Sequence, residues 1–74
     1  MEQTPAEQTA GAVRAELARR RVSGRDLARK LGWSPSATAR RLSGEKPFDI
    51  NELQQIASVL DVPVSLLVVV GQAA

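Results

Sequence analysis

The sequence contains no cysteine, no histidine and no tyrosine, and only one Phe, one Trp and one Met. Without Cys there is neither a disulfide framework nor a thiolate zinc site, and without His there is no imidazole acid-base chemistry or His-type metal site. No apolar run approaches the roughly 20 residues needed to span a bilayer. The first ten residues, MEQTPAEQTA, lack the basic-then-apolar order of a secretory signal, so a cytoplasmic location is the expectation. What remains is a chain of 74 residues, 43% hydrophobic, in which eleven of the apolar residues are Ala and most of the rest are Val and Leu. That composition suits short, closely packed helices around a single small core, and the length allows one domain, over residues 1–74 with an ordered part at about 6–70.

Arginine is what the chain has in excess. Eight of the ten cations are Arg, and all ten lie between Arg14 and Lys46, where only Glu16, Asp26 and Glu45 oppose them. The middle of the chain is therefore strongly basic, while both flanks are acidic. The planar guanidinium fork matches phosphate oxygens and guanine edges better than an ammonium does. The segment is either the recognition surface for a polyanion or a solvated basic face without a ligand.

Capping signals divide the chain into helices. Thr4-Pro5-Ala6-Glu7 has the capping-box order with proline at the first helical position. Ala6, Ala10, Val13 and Leu17 follow at helical spacing, with fraying expected before Ala10 and weakening at Gly11. Ser23 caps a second helix, with Asp26 in its first turn and Leu27, Ala28 and Leu31 inward, and Gly32 stops it in the left-handed conformation. Ser34-Pro35 starts a third helix running to about Ser43, whose inward candidates are only Leu42 and Thr38. Asp49 and Glu52 form a second capping box, with a Phe48 to Leu53 staple, ahead of a fourth helix buried through Leu53, Ile56, Ala57 and Leu60. Asp61-Val62-Pro63 breaks it, a fifth short helix spans Pro63 to about Leu67, and Val68 to Val70 suits either a short extended segment or core closure. The fold expected is all-α, a compact bundle of five short helices.

From Gly24 to Ser43 the layout is that of a helix-turn-helix, a supporting helix ending at Gly and a second helix beginning after a tight turn. The run DLARKLGWSPSATARRLSGEKPFDINELQQIASVLDVPVSLL resembles the lambda-repressor-like (Cro/C1-type) helix-turn-helix domain, especially its form in actinobacterial and actinobacteriophage repressors, where RRLSGE-PF, ELxxIAxxL and VPVxxLL recur. The resemblance covers roughly Val13 to Leu67. Thr38 and Arg41 stand where the family usually has aliphatic residues, so either Trp33 compensates or the third helix is mobile until DNA binds. Asp61 replaces the usual Gly, which Asp tolerates moderately well.

The resemblance implies a sequence-specific, double-stranded-DNA-binding transcriptional regulator of a phage or its bacterial host, an immunity repressor or Cro-like protein acting by operator occlusion. It places Ser36, Ala37, Ala39 and Arg40 against base edges in the major groove, with Arg40 bidentate to guanine. Arg25, Ser34, Pro35, Arg41 and Lys46 would hold phosphates, with Arg29 a further candidate. Trp33 suits packing better than base stacking, and Arg19 to Arg21 read either as a solvated helix end or as long-range phosphate contacts. Val64 to Val70 is either core or a homodimer surface, since terminal elements pair subunits in related repressors. The competing reading is a protein-interaction module, an antitoxin or antirepressor on the same fold. An enzyme is disfavoured because the polar residues form no paired geometry, and neither a cofactor nor a small-molecule ligand is expected. The terminal Gly-Gln-Ala-Ala resembles a bacterial degradation tag. Adding two Asp after it would then lengthen the cellular half-life, and an unchanged half-life would remove the idea.

Overall fold

A computed structural model describes residues 3–68, which form four α-helices and one 3-10 helix, with no strand among the described residues. We number them α1 (Pro5–Arg19), α2 (Gly24–Leu31), α3 (Pro35–Leu42) and α4 (Ile50–Leu60), and the 3-10 turn Val64–Leu66 stands where a fifth helix is expected from sequence. All four α-helices begin at a side-chain cap. Thr4, Ser23 and Asp49 each accept an N–H bond from the third helical residue, and that residue's carboxylate returns the bond, in Glu7, Asp26 and Glu52 respectively. The complete box at Thr4 and Glu7 holds α1 from Pro5 onward, so the fraying expected before Ala10 is replaced by continuous helix through Gly11.

The C-termini share one device. After α1, α2 and α4 the chain turns through a left-handed residue, Arg21, Gly32 and Asp61, and the next N–H returns to a carbonyl five residues earlier. Gly32 and Asp61 are legible as helix stops. Arg21, at φ 55°, is not, because a β-carbon resists that conformation.

Val13, Leu17, Leu27, Leu53, Ile56, Ala57, Leu60 and Leu67 form the core, so three α-helices and the residue following the 3-10 turn supply it. Leu31, Trp33, Leu42, Phe48 and Val62 are half-buried against it. The helix that contributes least is α3, whose only fully buried residue is Thr38. Thr38 is accommodated because its hydroxyl donates to the Ser34 carbonyl at 2.9 Å, and no buried side-chain polar atom among the described residues is left unpaired.

Polar side chains fasten the elements where apolar area is scarce. Glu16 is only 4% exposed, and its carboxylate accepts from Arg19 and from Arg20. Arg20 also reaches the Leu60 carbonyl at the end of α4 (3.3 Å). Arg19 and Arg20 thus share the Glu16 carboxylate, while all three arginines at 19 to 21 remain exposed, Arg19 at 67% of its side chain. Arg14 on α1 donates to the Leu42 carbonyl at the end of α3, where cationic charge also meets the helix dipole favourably. Leu67 is fully buried and Val68 half-buried, while Leu66 is 49% exposed. Val69 and Val70, and with them the rest of the expected extended segment, the last two residues of the expected dimer surface and the terminal Ala-Ala, lie outside the described residues. No helix among the described residues is long and apolar enough to cross a membrane.

Candidate nucleic-acid interface

Three residues, Gly32, Trp33 and Ser34, join α2 to α3, and these two helices pack on each other more extensively than any other pair of elements among the described residues. The turn is set by Gly32 at φ 74° and by the Trp33 N–H bonded to the Ala28 carbonyl at 2.9 Å. Gly24 lets the start of α2 close onto α3, since a β-carbon there would lie 3.0 Å from Leu42 Cδ1. The two short helices are thereby locked as one unit, and α3 sits at its outer edge.

With Thr38 and Leu42 directed inward, the opposite face of α3 is centred on Ser36 and Arg40. Both are exposed, Arg40 at 65% of its side chain, and Ala39 beside them is exposed as well. Ala37, the fourth residue expected to read bases, is half-buried and lies toward the Trp33, Arg41 and Glu52 side. On the other flank, Gly24, Arg25, Pro35, Ser36 and Ala39 line a depression together with Thr38 and Leu42, which puts Arg25 next to the α3 face. Beyond the helix, the Lys46 N–H bonds to the Arg40 carbonyl (3.2 Å), so the loop carrying Lys46 folds back beside it. The fold therefore places Arg25 beside Ser36 and Ala39, and the backbone of Lys46 beside Arg40.

At the start of α3, Ser34 Oγ accepts the Ala37 N–H at 3.1 Å, and Pro35 has no N–H to offer. The Ser36 N–H is left without a protein acceptor among the described residues. Ser34 Oγ accepts the Ala37 bond as the cap and its hydroxyl proton is still available to donate, so the Ser34 hydroxyl and the Ser36 amide both stand at this helix end.

Two of the expected phosphate ligands have other partners. Arg41 is only 16% exposed. Its Nε donates to both Glu52 oxygens (3.1 and 3.2 Å), its guanidinium also bonds the Ala37 carbonyl (3.0 Å), and the group lies 5.6 Å from the centroid of the Trp33 ring. Arg41 is thus engaged inside the protein through Nε and one Nη, so the expectation that it clamps a phosphate draws no support from this geometry. Arg29 is exposed but paired with Asp26. The same Arg29, with Lys30, adds to the chief effect of the two Ser23 hydrogen bonds in holding the Asp26 carboxyl below its ordinary range. Trp33 serves as a packing surface for Arg41 and the core, as its sequence position suggests.

Such a face offers one long bidentate donor, small side chains that admit close approach, a free amide and flanking cations. A family model described as the BetR domain matches residues 6–74. The chain belongs to the BetR domain family. No match appears among curated proteins or among solved structures. The BetR match includes α1 through the 3-10 turn, so the α2–α3 unit and the flanking cations all lie within the BetR domain.

Proposed function

We propose that this chain binds double-stranded DNA in a sequence-specific way, with α2 and α3 acting as a helix-turn-helix and α3 lying in the major groove. The observation that carries the reading is the uncovered outer face of α3, where Ser36, Ala39 and Arg40 face outward from a helix anchored on its other side. Arg40 supplies a fork suited to the O6 and N7 acceptors of guanine, and the small side chains beside it let the helix approach base edges or a thymine methyl. Arg25, Lys46 and the Ser36 amide contact the flanking phosphates, fixing register without reading sequence. The likeness of the chain from Val13 to Leu67 to lambda-repressor-like domains supports the same reading. A regulator of this kind works by occupying an operator in the cytoplasm of a bacterial host and excluding polymerase. Leu66, at 49% exposure, favours a homodimer contact through the C-terminal segment, and a dimer calls for half-sites about 34 to 36 Å apart.

Selection from random duplex DNA tests the proposal. A recurring motif bound about 10³-fold above a scrambled control is the expected result. Arg40→Ala then relaxes preference at one base pair, weakening specific binding by about 1 to 3 kcal/mol. Weak binding without any motif would instead direct attention to the antitoxin or antirepressor reading, in which the same face holds a protein.

A further inference from the structure

The way α3 is held departs from how the other helices are held. It buries a single residue completely, and its backbone barely approaches α4. The link between them is a side-chain one. Glu52, in the first turn of α4, accepts the Asp49 N–H at 3.0 Å to complete the α4 cap, and the same carboxylate accepts from Arg41 of α3. Arg41 in turn lies over Trp33, the middle residue of the turn that delivers α3, and bonds back to the Ala37 carbonyl. One carboxylate thus joins the start of α4, the last turn of α3 and the α2–α3 turn. Both charged side chains are mostly buried, at 16% and 20% exposure, where a paired charge is screened less than at an open surface.

Resting on the DNA-binding reading above, we propose that Arg41 and Glu52 are positioning residues that fix the roll of α3 about its own axis, and so decide which base edge Arg40 and Ser36 meet. Arg41 follows Arg40 directly, so its side chain leaves the helix about 100° around the axis from the reading residue. Anchoring one sets the direction of the other. Neither Arg41 nor Glu52 touches DNA in this arrangement. The carboxylate is confined to the protein side of the helix, where it does not repel phosphates.

The test separates positioning from general stability. Glu52→Gln keeps an amide oxygen to accept the Asp49 N–H, so the α4 cap survives while the charge that orients Arg41 is lost. Binding of the selected motif and of scrambled duplex is measured for the wild type, Glu52→Gln, Arg41→Met and the double variant, together with Tm for each. The expected result is a ratio of motif to scrambled binding that falls about tenfold in each single variant and no further in the double variant, with scrambled binding retained in Glu52→Gln. Glu52→Gln that leaves the ratio unchanged, or lowers motif and scrambled binding equally along with Tm, overturns the positioning role and leaves the DNA-binding reading in place. A wild type without motif preference overturns both.

Discussion

At the scale of single residues, the positions that matter most are those where backbone conformation and close approach coincide. Gly32 and Gly44 both have positive φ, 74° and 87°, but their surroundings differ. A β-carbon at Gly32 would meet nothing within 4 Å, whereas at Gly44 it would lie 2.9 Å from Glu7 Cγ and 3.0 Å from Glu7 Cα. The loop after α3 is thus pressed against the first turn of α1, where only glycine fits. Gly32→Ala should destabilise by about 1 kcal/mol, the conformational term alone. Gly44→Ala should lose roughly 2 to 3 kcal/mol, since the Glu7 backbone must also shift. Urea unfolding of the two variants checks the order, and equal losses would mean that the loop relaxes freely away from α1. Gly32 was legible as a helix stop. The contact of Gly44 with Glu7 was not, because it joins residues 37 positions apart and leaves no trace in local spacing.

At the scale of elements, local chemistry was readable and tertiary polar bonds were not. Caps depend on residues within one helical turn, which is why Thr4 with Glu7, Ser34 with its adjoining proline, and Asp49 with Glu52 could be placed from sequence alone. Arg14 bonding the end of α3, Arg20 reaching α4 and Arg41 reaching Glu52 span 28, 40 and 11 residues, and a surface arginine looks the same in sequence as a tethered one. Glu16 offered a partial signal, since Arg20 follows it by one helical turn and Val13 and Leu17 flank it on the buried face. Asp26 gives the element scale its pH dependence. The Ser23 bonds, aided by Arg29 and Lys30, lower the Asp26 carboxyl below its ordinary 3.8, so its contribution to α2 is complete above that value. It is lost as the pH falls through the lower folded-state value. The Tm gap between wild type and Asp26→Asn should therefore be full at neutral pH and narrow once the pH drops below 3.8. A gap of constant size into the acid range would show that the carboxylate charge is not what holds the cap.

For the whole molecule, the charge count that drew attention to the middle of the chain overstates what a polyanion would meet. All ten cations lie between Arg14 and Lys46. Arg19 and Arg20 are paired with Glu16, Arg29 with Asp26 and Arg41 with Glu52, while Arg14 is bonded to a carbonyl. The cations that flank α3 without a close carboxylate are Arg25 and Lys46, joined by Arg40, whose nearest carboxylate is Glu45 at 4.0 Å. Counterion release scales with phosphates neutralised, at about 0.9 per contact in the slope of log K against log salt. Two or three contacts per chain therefore give a slope of about −2 to −3, against about −9 if every cation took part. Lys46→Ala should reduce the magnitude by about 0.9 and weaken motif and random duplex alike, while Arg29→Ala should change it little. Titrations over a series of salt concentrations decide the matter. A slope near −6 per chain would mean that the internal ion pairs open on DNA and that their arginines turn outward, in which case the Arg41 and Glu52 link would be exchanged for phosphate rather than kept as an anchor.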